Sequence, residues 1–568
     1  MRGVQNAEPR SRILTLLALM LLAYFVLFAR LVYWQGFRHH DLVQLAAAYH
    51  DDVITLPAVR GKIVDRNGGL LVTNTPVYSI FASPDQITAA DRSTVAAKLA
   101  PILEMRPDDV LQQITSTKKF VYLKRRVAAD VAAQLDGLQL PGIGKIEETK
   151  RTYVDGGVPG TSLAANLLGF ANNDGQGNYG IEGYYDRVLA GQAGYEATIR
   201  DLANRPIVLS DRRRQDPVDG VTLQLSLDGS IQVAAERALA AGVAKYQAES
   251  GSLLIMEPKT GRIVAWADVP SYNANQFSTT DTALFLDPSV SSLYEPGSVM
   301  KVVTLSGALD AHAMTPTTLF NDTGVARVGG YAIHNWDNRG HGVVTMTKVL
   351  EQSLNVGAIH AEQLEGPGNF FQYLQRFGIG DRTGVDLAGE VAAPLGDLKT
   401  WKPIRLATAS YGQGVDVTPI QLLAAVNVVA TGGDLVMPHV VDSVIDGNGV
   451  SHPVPTRIVR HVVSPAAAKQ MQQMMVGVVE HGSGFAARID GFKNRIAGKT
   501  GTAQVPENGH YGSDVIGSFI GFVPADHPQF IMVVIVRKPK ILFEGAYVAA
   551  PIWKTVASAL ITQWNIAP

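Results

Sequence analysis

Ser298 and Lys301 stand three residues apart in the stretch Tyr294-Glu-Pro-Gly-Ser-Val-Met-Lys301. On a helix that spacing puts both side chains on one face, a turn apart. A serine hydroxyl is a poor nucleophile at neutral pH and needs a base beside it. Lysine is that base only when neutral, and a free lysine titrates near ~10.4. Burial or a cationic neighbour has to lower it. Pro296 and Gly297 precede Ser298, and the largely apolar residues 302–309 follow. This predicts a turn that delivers Ser298 to the start of a buried helix, near the positive end of its dipole. Chance alone places a lysine three residues after roughly one serine in twenty, so the pair by itself specifies little.

Two further stretches narrow the chemistry. One holds Ser353 and Asn355, the other Lys499, Thr500, Gly501 and Thr502. The Ser353 hydroxyl both donates and accepts, so it can relay a proton to a leaving amine. Asn355 offers an amide that can hold a peptide backbone. Lys499 is a fixed positive charge for a terminal carboxylate, and Thr500 and Thr502 add hydroxyl donors. Gly501 has no side chain, so an extended substrate can lie against its strand as an added strand. The set is suited to acyl transfer from a peptide that ends in a carboxylate.

These residues have to be held by surrounding elements. Alternation over residues 221–227 predicts a strand, and apolar residues at helical spacing over 231–246 predict an amphipathic helix. Residues 251–256 and 263–266 predict a hairpin about Gly261. Residues 518–523 and 530–536 predict two apolar strands beside the Lys499 strand, and 552–564 a closing helix. A helix followed by antiparallel strands is an α+β pattern. Upstream, Asn67-Gly68 between two apolar runs predicts a tight hairpin. Helices are predicted over 41–50, 89–103, 127–135 and 181–189. Residues 175–180 formally match Gly-x-Gly-x-x-Gly, but Ala171-Asn-Asn-Asp174 intervenes and breaks the strand–turn–helix context of a dinucleotide site. A turn-rich loop is the better reading. The run Arg212 to Arg214, bounded by Asp211 and Asp216, reads as a solvated turn.

Composition excludes several classes. A chain of 568 residues holds several domains, and 46% apolar residues is ordinary for a globular protein. A net charge of -2 gives no reason to expect nucleic acid as a partner. The absence of cysteine rules out disulfides, thiol catalysis and thiolate metal sites, and fits an exported chain. The 13 histidines form no His-Glu-x-x-His pair. Gly498-Lys499-Thr500 is not half of a P-loop, because position 493 is lysine where that motif needs glycine. No cofactor and no metal are predicted. Residues 13–29 carry no charge, and after Arg30 come Leu31, Val32, Tyr33 and Trp34. That length spans a bilayer, and bulky residues follow where a signal-peptide cleavage site needs small ones. An uncleaved membrane anchor over 13–34 is predicted. Arg2, Arg10 and Arg12 before it predict a cytoplasmic N-terminus, with nearly everything after Trp34 outside the cytoplasm.

Ser-x-x-Lys, Ser-x-Asn and Lys-Thr-Gly in that order resemble the signature of penicillin-binding proteins and serine β-lactamases. The likeness extends along almost the whole chain to class B penicillin-binding proteins. It is carried by Arg60, Gly61, Asp65, Arg66 and Gly68, by residues 169–191 around Glu182-Gly183, and by residues 225–277. Further support comes from Tyr411-Gly-Gln-Gly414, Gly389-Glu390 and Ala549-Ala-Pro551. The resemblance implies a tail over 1–12, the anchor, a pedestal or dimerisation-type domain over 35–220, and a transpeptidase domain over 221–568 with an antiparallel sheet flanked by helices. It implies a D,D-transpeptidase that cross-links peptidoglycan stem peptides ending in D-Ala-D-Ala through an acyl-enzyme on Ser298, with β-lactams as covalent inhibitors. Ser298, Lys301, Ser353, Asn355 and Lys499 are then catalytic, and Thr500, Gly501 and Thr502 bind substrate. The backbone N–H groups of Ser298 and Thr502 form the oxyanion hole. Residues 173–177 resemble division-type members more than elongation-type ones, whereas residues 151–155 depart from the division pattern. The implied partners are a polytopic polymerase of the SEDS family and division proteins. Three alternatives stay open: a D,D-carboxypeptidase, a β-lactamase-type hydrolase and an inactive scaffold. The glutamate string that a class A β-lactamase uses for deacylation is missing after Asn355, and the residues whose loss would mark a scaffold are present.

Overall fold

The computed structural model describes residues 9–42, 51–199, 213–493, 495–507 and 510–567. Most of the predicted helix over 41–50, residues 1–8 of the tail, and Asp211 and Arg212 lie outside them. The chain forms two compact units. One contains the N-terminal helix Pro9–Val32, continued by a wider helical turn over Tyr33–Phe37. At ~1.5 Å per residue the helix is long and apolar enough to cross a membrane, and the side chains of residues 11–32 are exposed. The same unit holds a three-stranded antiparallel sheet of Asp51–Leu56, Gly194–Ile199 and Arg213–Gln215.

The second unit contains two larger sheets. The first is seven-stranded. Its hairpin pairs Ile63 with Val72 and Val64 with Leu70 about Asn67-Gly68, as the sequence predicts. Asp65 closes the turn by accepting from the N–H groups of Asn67 and Gly69. Thr222–Leu225 pairs parallel with Ile63–Val64 and antiparallel with Val441–Ile445, so one sheet joins strands from before and after residue 220. The motif residue Arg60 is buried and donates to Glu182 (2.7 Å) and Asp186 (2.7 Å). Arg151 donates to the other oxygen of Glu182 at 2.7 Å. Glu182 has a fully buried side chain, and two guanidinium groups supply the partners that make its charge tolerable there. The Gly-x-Gly-x-x-Gly stretch belongs to this knot. Phe170–Ala171 pairs with Gly177–Asn178 as a hairpin, and a Cβ on Gly177 would strike Glu182 O and Arg60 Nη2.

Three local expectations change. The helix predicted from Val127 begins at Ala129, because Val121–Val127 pairs as a strand with residues 78–82. An additional helix, Pro107–Ile114, opens with Pro107 and two aspartates, a favourable first turn. The helix predicted over 181–189 is two short turns, Gly180–Tyr184 and Asp186–Leu189. They separate at Tyr185, whose hydroxyl donates to Asp386 at 2.9 Å.

The second sheet has five strands, all antiparallel, in the order Ile263–Val269, Ser250–Met256, Phe530–Arg537, His510–Val523, Ala497–Glu507. Residues 530–536 are buried throughout, which is why the sequence shows an unbroken apolar run rather than alternation. Gly229–Lys245 and Ala550–Gln563 pack on one face of the sheet. Met300–Asp310, Pro419–Thr431 and Pro465–His481 pack on the other. The Lys499 strand lies at the sheet edge and pairs with one strand only among the described residues.

Candidate active site

Ser298 lies in a single helical turn, Gly297–Val299, that runs straight into the buried helix Met300–Asp310. Gly297 has φ +57°, which a side chain would strain. Its N–H donates to Gly412 O at 3.1 Å. The turn rests on the edge strand, and a Cβ on Gly297 would lie 2.9 Å from Thr502 O. The backbones that carry Ser298 and Thr502 are therefore in contact. Gly501 also leaves space inside the fold. A Cβ there would meet Ser518 Oγ at 2.3 Å and Pro296 O at 3.0 Å. Its missing side chain makes room for the serine-bearing turn, and the room for an extended peptide is the unpaired strand edge.

Lys301 is fully buried. Its Nζ lies 3.0 Å from Ser298 Oγ, 2.6 Å from Ser353 O, 2.8 Å from Asn355 Oδ1 and 3.3 Å from Ser353 Oγ. Lys499 Nζ donates to Ser353 Oγ and Thr500 O, both at 2.9 Å. One serine hydroxyl thus stands between two buried lysines. Burial, and then the charge of Lys499, hold the Lys301 amine well below the usual lysine range. Burial brings Lys499 down to about 7. Two ammonium groups this close do not both keep their protons cheaply, and Lys301 is the one placed to be neutral.

A neutral amine has two N–H donors and one lone pair. Ser353 O and Asn355 Oδ1 can only accept, so they take the two N–H groups. The lone pair is left for a hydroxyl, and Ser298 is the nearer one. Ser353 reaches this position with φ +58°, in the short link between the helices Met346–Glu351 and Asn355–Glu365. Strain of this kind persists where the surroundings fix a functional geometry. Asn355 departs from its expected use. Its oxygen is taken by Lys301 and one Nδ2 hydrogen by His334 O at 3.1 Å, which leaves a single N–H for a ligand. Thr500 Oγ1 pairs with Ser483 Oγ at 2.8 Å. Thr502 is exposed, and its hydroxyl accepts from Gly545 N–H at 3.1 Å, so its own proton is free to donate.

The structure brings all eight sequence-predicted residues into one neighbourhood and adds others. Glu295, beside the Ser298 turn, accepts from Gly414 N–H at 2.7 Å and Tyr511 hydroxyl at 3.2 Å. Trp336 is 66% exposed and donates Nε1–H to Gln352 O at 3.0 Å, next to Ser353. An exposed aromatic within a turn-rich polar stretch was the one sequence signal for Trp336. Glu390 accepts from the N–H groups of Thr383 and Gly384, a turn-holding role.

Residues 251–558 match the family model of the penicillin binding protein transpeptidase domain, and residues 55–225 that of the penicillin-binding protein dimerisation domain. Stage V sporulation protein D of Bacillus subtilis is 32% identical over 580 residues, covering 100% of this chain and 88% of that protein. Peptidoglycan D,D-transpeptidase FtsI of Escherichia coli is 33% identical over 519 residues, covering 90% and 84%. Among solved structures, a peptidoglycan synthetase from Bifidobacterium adolescentis aligns with a TM-score of 0.74 at 27% identity, covering 91% of this chain and 98% of that one. Penicillin binding protein 3 from Mycobacterium tuberculosis, complexed with aztreonam, aligns with a TM-score of 0.70 at 27% identity and the same coverage. A serine held by a buried lysine, on a sheet and pedestal shared with these proteins, places the chain in the class B penicillin-binding proteins, the serine-type D,D-transpeptidases of peptidoglycan.

Proposed function

We propose that Ser298 is the nucleophile, Lys301 its general base, Ser353 the proton relay and Lys499 the anchor for the terminal carboxylate of a D-Ala-D-Ala stem peptide. The observation that carries this reading is the Lys301 amine, 3.0 Å from Ser298 Oγ with both N–H groups committed elsewhere. Ser298 Oγ attacks the carbonyl carbon of the penultimate D-Ala as its proton passes to Lys301 Nζ. The oxyanion is received by the backbone N–H groups of Ser298 and Thr502, donors of a kind typically worth ~3 kcal/mol of barrier. The C–N bond then breaks, and the departing D-Ala amine takes the proton from Lys301 through Ser353. An acceptor amine attacks the resulting ester, gives its proton back along the same path and releases Ser298 with the cross-link formed. Thr500 and Thr502 bind the carboxylate end, and the free edge beside Gly501 takes the peptide backbone. A β-lactam enters the same acylation step.

The wider reading includes an anchor over 13–34 with the N-terminus inside, a pedestal over 35–220 and a catalytic domain over 221–568 outside the cytoplasm. The division role rests on the stretch 173–177 and carries with it a SEDS-family polymerase and division proteins as partners. Gel labelling with a fluorescent penicillin tests the centre of the proposal. Wild type is expected to hold a stable adduct and Ser298→Ala none. Label that persists on Ser298→Ala would remove Ser298 as the nucleophile. Rapid release with drug hydrolysis would replace the transpeptidase by a β-lactamase.

A further inference from the structure

The helix that carries Asn355 lacks a cap of its own. Its N-cap position is Leu354, which has no side-chain acceptor for the first free N–H groups. The cap comes from a distant hairpin instead. Asn335 Oδ1 accepts from Val356 N–H at 3.1 Å, while the neighbouring His334 O accepts from Asn355 Nδ2 at 3.1 Å. Two adjacent residues of the hairpin region thus clamp the first two residues of the helix.

Asn335 is itself held from behind. It is buried, and its two Nδ2 hydrogens go to Asp322 Oδ2 at 2.8 Å and Arg339 O at 3.0 Å. That fixes which end of the amide faces the helix. Asp322 is also buried. Its carboxylate further accepts from Gly324 N–H at 3.0 Å and meets His341 Nδ1 at 2.8 Å, and His341 Nε2 lies 3.2 Å from Asp337. A continuous chain of contacts runs from His341 through Asp322 and Asn335 to the helix start, and from there through Asn355 Oδ1 to Lys301 and Ser298.

We propose that Asn335, oriented by Asp322 and His341, is a positioning residue for acylation. It caps the Asn355 helix from outside and thereby sets the contact between Asn355 Oδ1 and the Lys301 amine. The proposal rests on the roles given above to Ser298 and Lys301. Its physical basis is that a misplacement of about 1 Å at a catalytic contact costs on the order of 100-fold in rate. Ordinary support of the fold would lower stability without selectively slowing the covalent step.

The test measures β-lactam acylation of the full chain in detergent, separating the rate of the covalent step from the affinity of the non-covalent complex. Asn335→Ala is expected to slow the covalent step by roughly 10- to 100-fold with non-covalent affinity changed less than about threefold. His341→Gln, at the far and partly exposed end of the network, is expected to slow it by roughly 3- to 10-fold while staying folded. Arg327→Ala, on the same hairpin region but outside the network, is expected to match wild type. If Asn335→Ala does not fold, His341→Gln decides. Acylation at the wild-type rate in the folded variants would overturn the proposal. So would parallel losses in affinity and rate that follow a fall in melting temperature. An unlabelled wild type would be a separate failure, of the Ser298 reading itself, and the positioning role would fall with it.

Discussion

Lys301 Nζ has four oxygen neighbours, of which Ser353 O and Asn355 Oδ1 can only accept, and a neutral amine satisfies both with its lone pair left for the Ser298 hydroxyl. Burial and the charge of Lys499 both disfavour the ammonium form. The rate of acylation is therefore expected to fall on the acid side as Lys301 gains a proton, and to do so at a lower pH than an ordinary lysine would dictate. Lys301→Arg keeps the charge at every accessible pH and has no lone pair to offer. Loss of a general base typically costs about 100- to 10,000-fold, so this variant is expected to acylate at least 100-fold more slowly, read by the rate of penicillin labelling. Wild-type-like labelling would show that another group takes the Ser298 proton. The same shifts couple to stability. Lys499 has a folded-state value near 7 against 10.5 for an ordinary lysine. Between those limits the unfolded chain binds more protons, so this residue makes stability rise with pH.

On the scale of elements, the Asn355–Glu365 helix serves two neighbours. Its start supplies Asn355, and its end presses Glu365 against the helix Met300–Asp310, where a Cβ on Gly307 would lie 2.7 Å from Glu365 Oε1. Neither Glu365 carboxyl oxygen has a partner among the described residues. Burial first, and then the charges of Glu362 and Asp310, push Glu365 up to about 8, and burial pushes Glu362 to about 7. A carboxyl raised in the folded state stabilises fully below the unfolded value near 4.5, and that stability is lost as pH rises through the folded value. Glu365→Gln is expected to melt higher than wild type at pH 9, with the gap closing towards pH 5. A constant gap across that range would show that Glu365 does not titrate in the fold. The result bears on the site because the same helix holds Asn355 at its other end.

At the scale of the whole molecule, the buried charges of the pedestal and the exposed anchor answer different solvents. Glu182 is tolerable in the interior because Arg60 and Arg151 meet both of its oxygens. The apolar side chains of residues 11–32 are exposed, and their length and composition suit a hydrocarbon phase. Removal of residues 1–37 is expected to move the protein from the membrane fraction to the soluble fraction. Penicillin labelling of the truncated chain should stay within about twofold of the full chain, since the described hydrogen-bond partners of Lys301 are Ser298, Ser353 and Asn355, far from residues 1–37 in sequence. A truncated chain that still pelleted with membranes would point to a second membrane-binding surface.

The candidate residue types, the strands of the catalytic sheet, the hairpin at Asn67-Gly68 and the long apolar N-terminal stretch were legible from sequence alone. Those features are local. Ser298 and Lys301 are one helical turn apart, an apolar run marks a doubly covered strand, and twenty-odd apolar residues mark a stretch long enough to span a bilayer. Tertiary structure decided everything that depends on residues far apart in sequence. The missing side chain of Gly501 makes room for Ser518 and the Pro296 turn, that of Gly177 for the Arg60–Glu182 knot, and the Asn355 oxygen meets Lys301. The helix start at Ala129 in place of Val127 was set by strand pairing with residues 78–82. The cap supplied by Asn335 carries no local signature, because a capping motif is read from neighbours in sequence and this one comes from a separate hairpin. The lowered lysines follow the same logic. A pKa is set by burial and nearby charge, and neither exists until the fold has brought residues 301, 353 and 499 together.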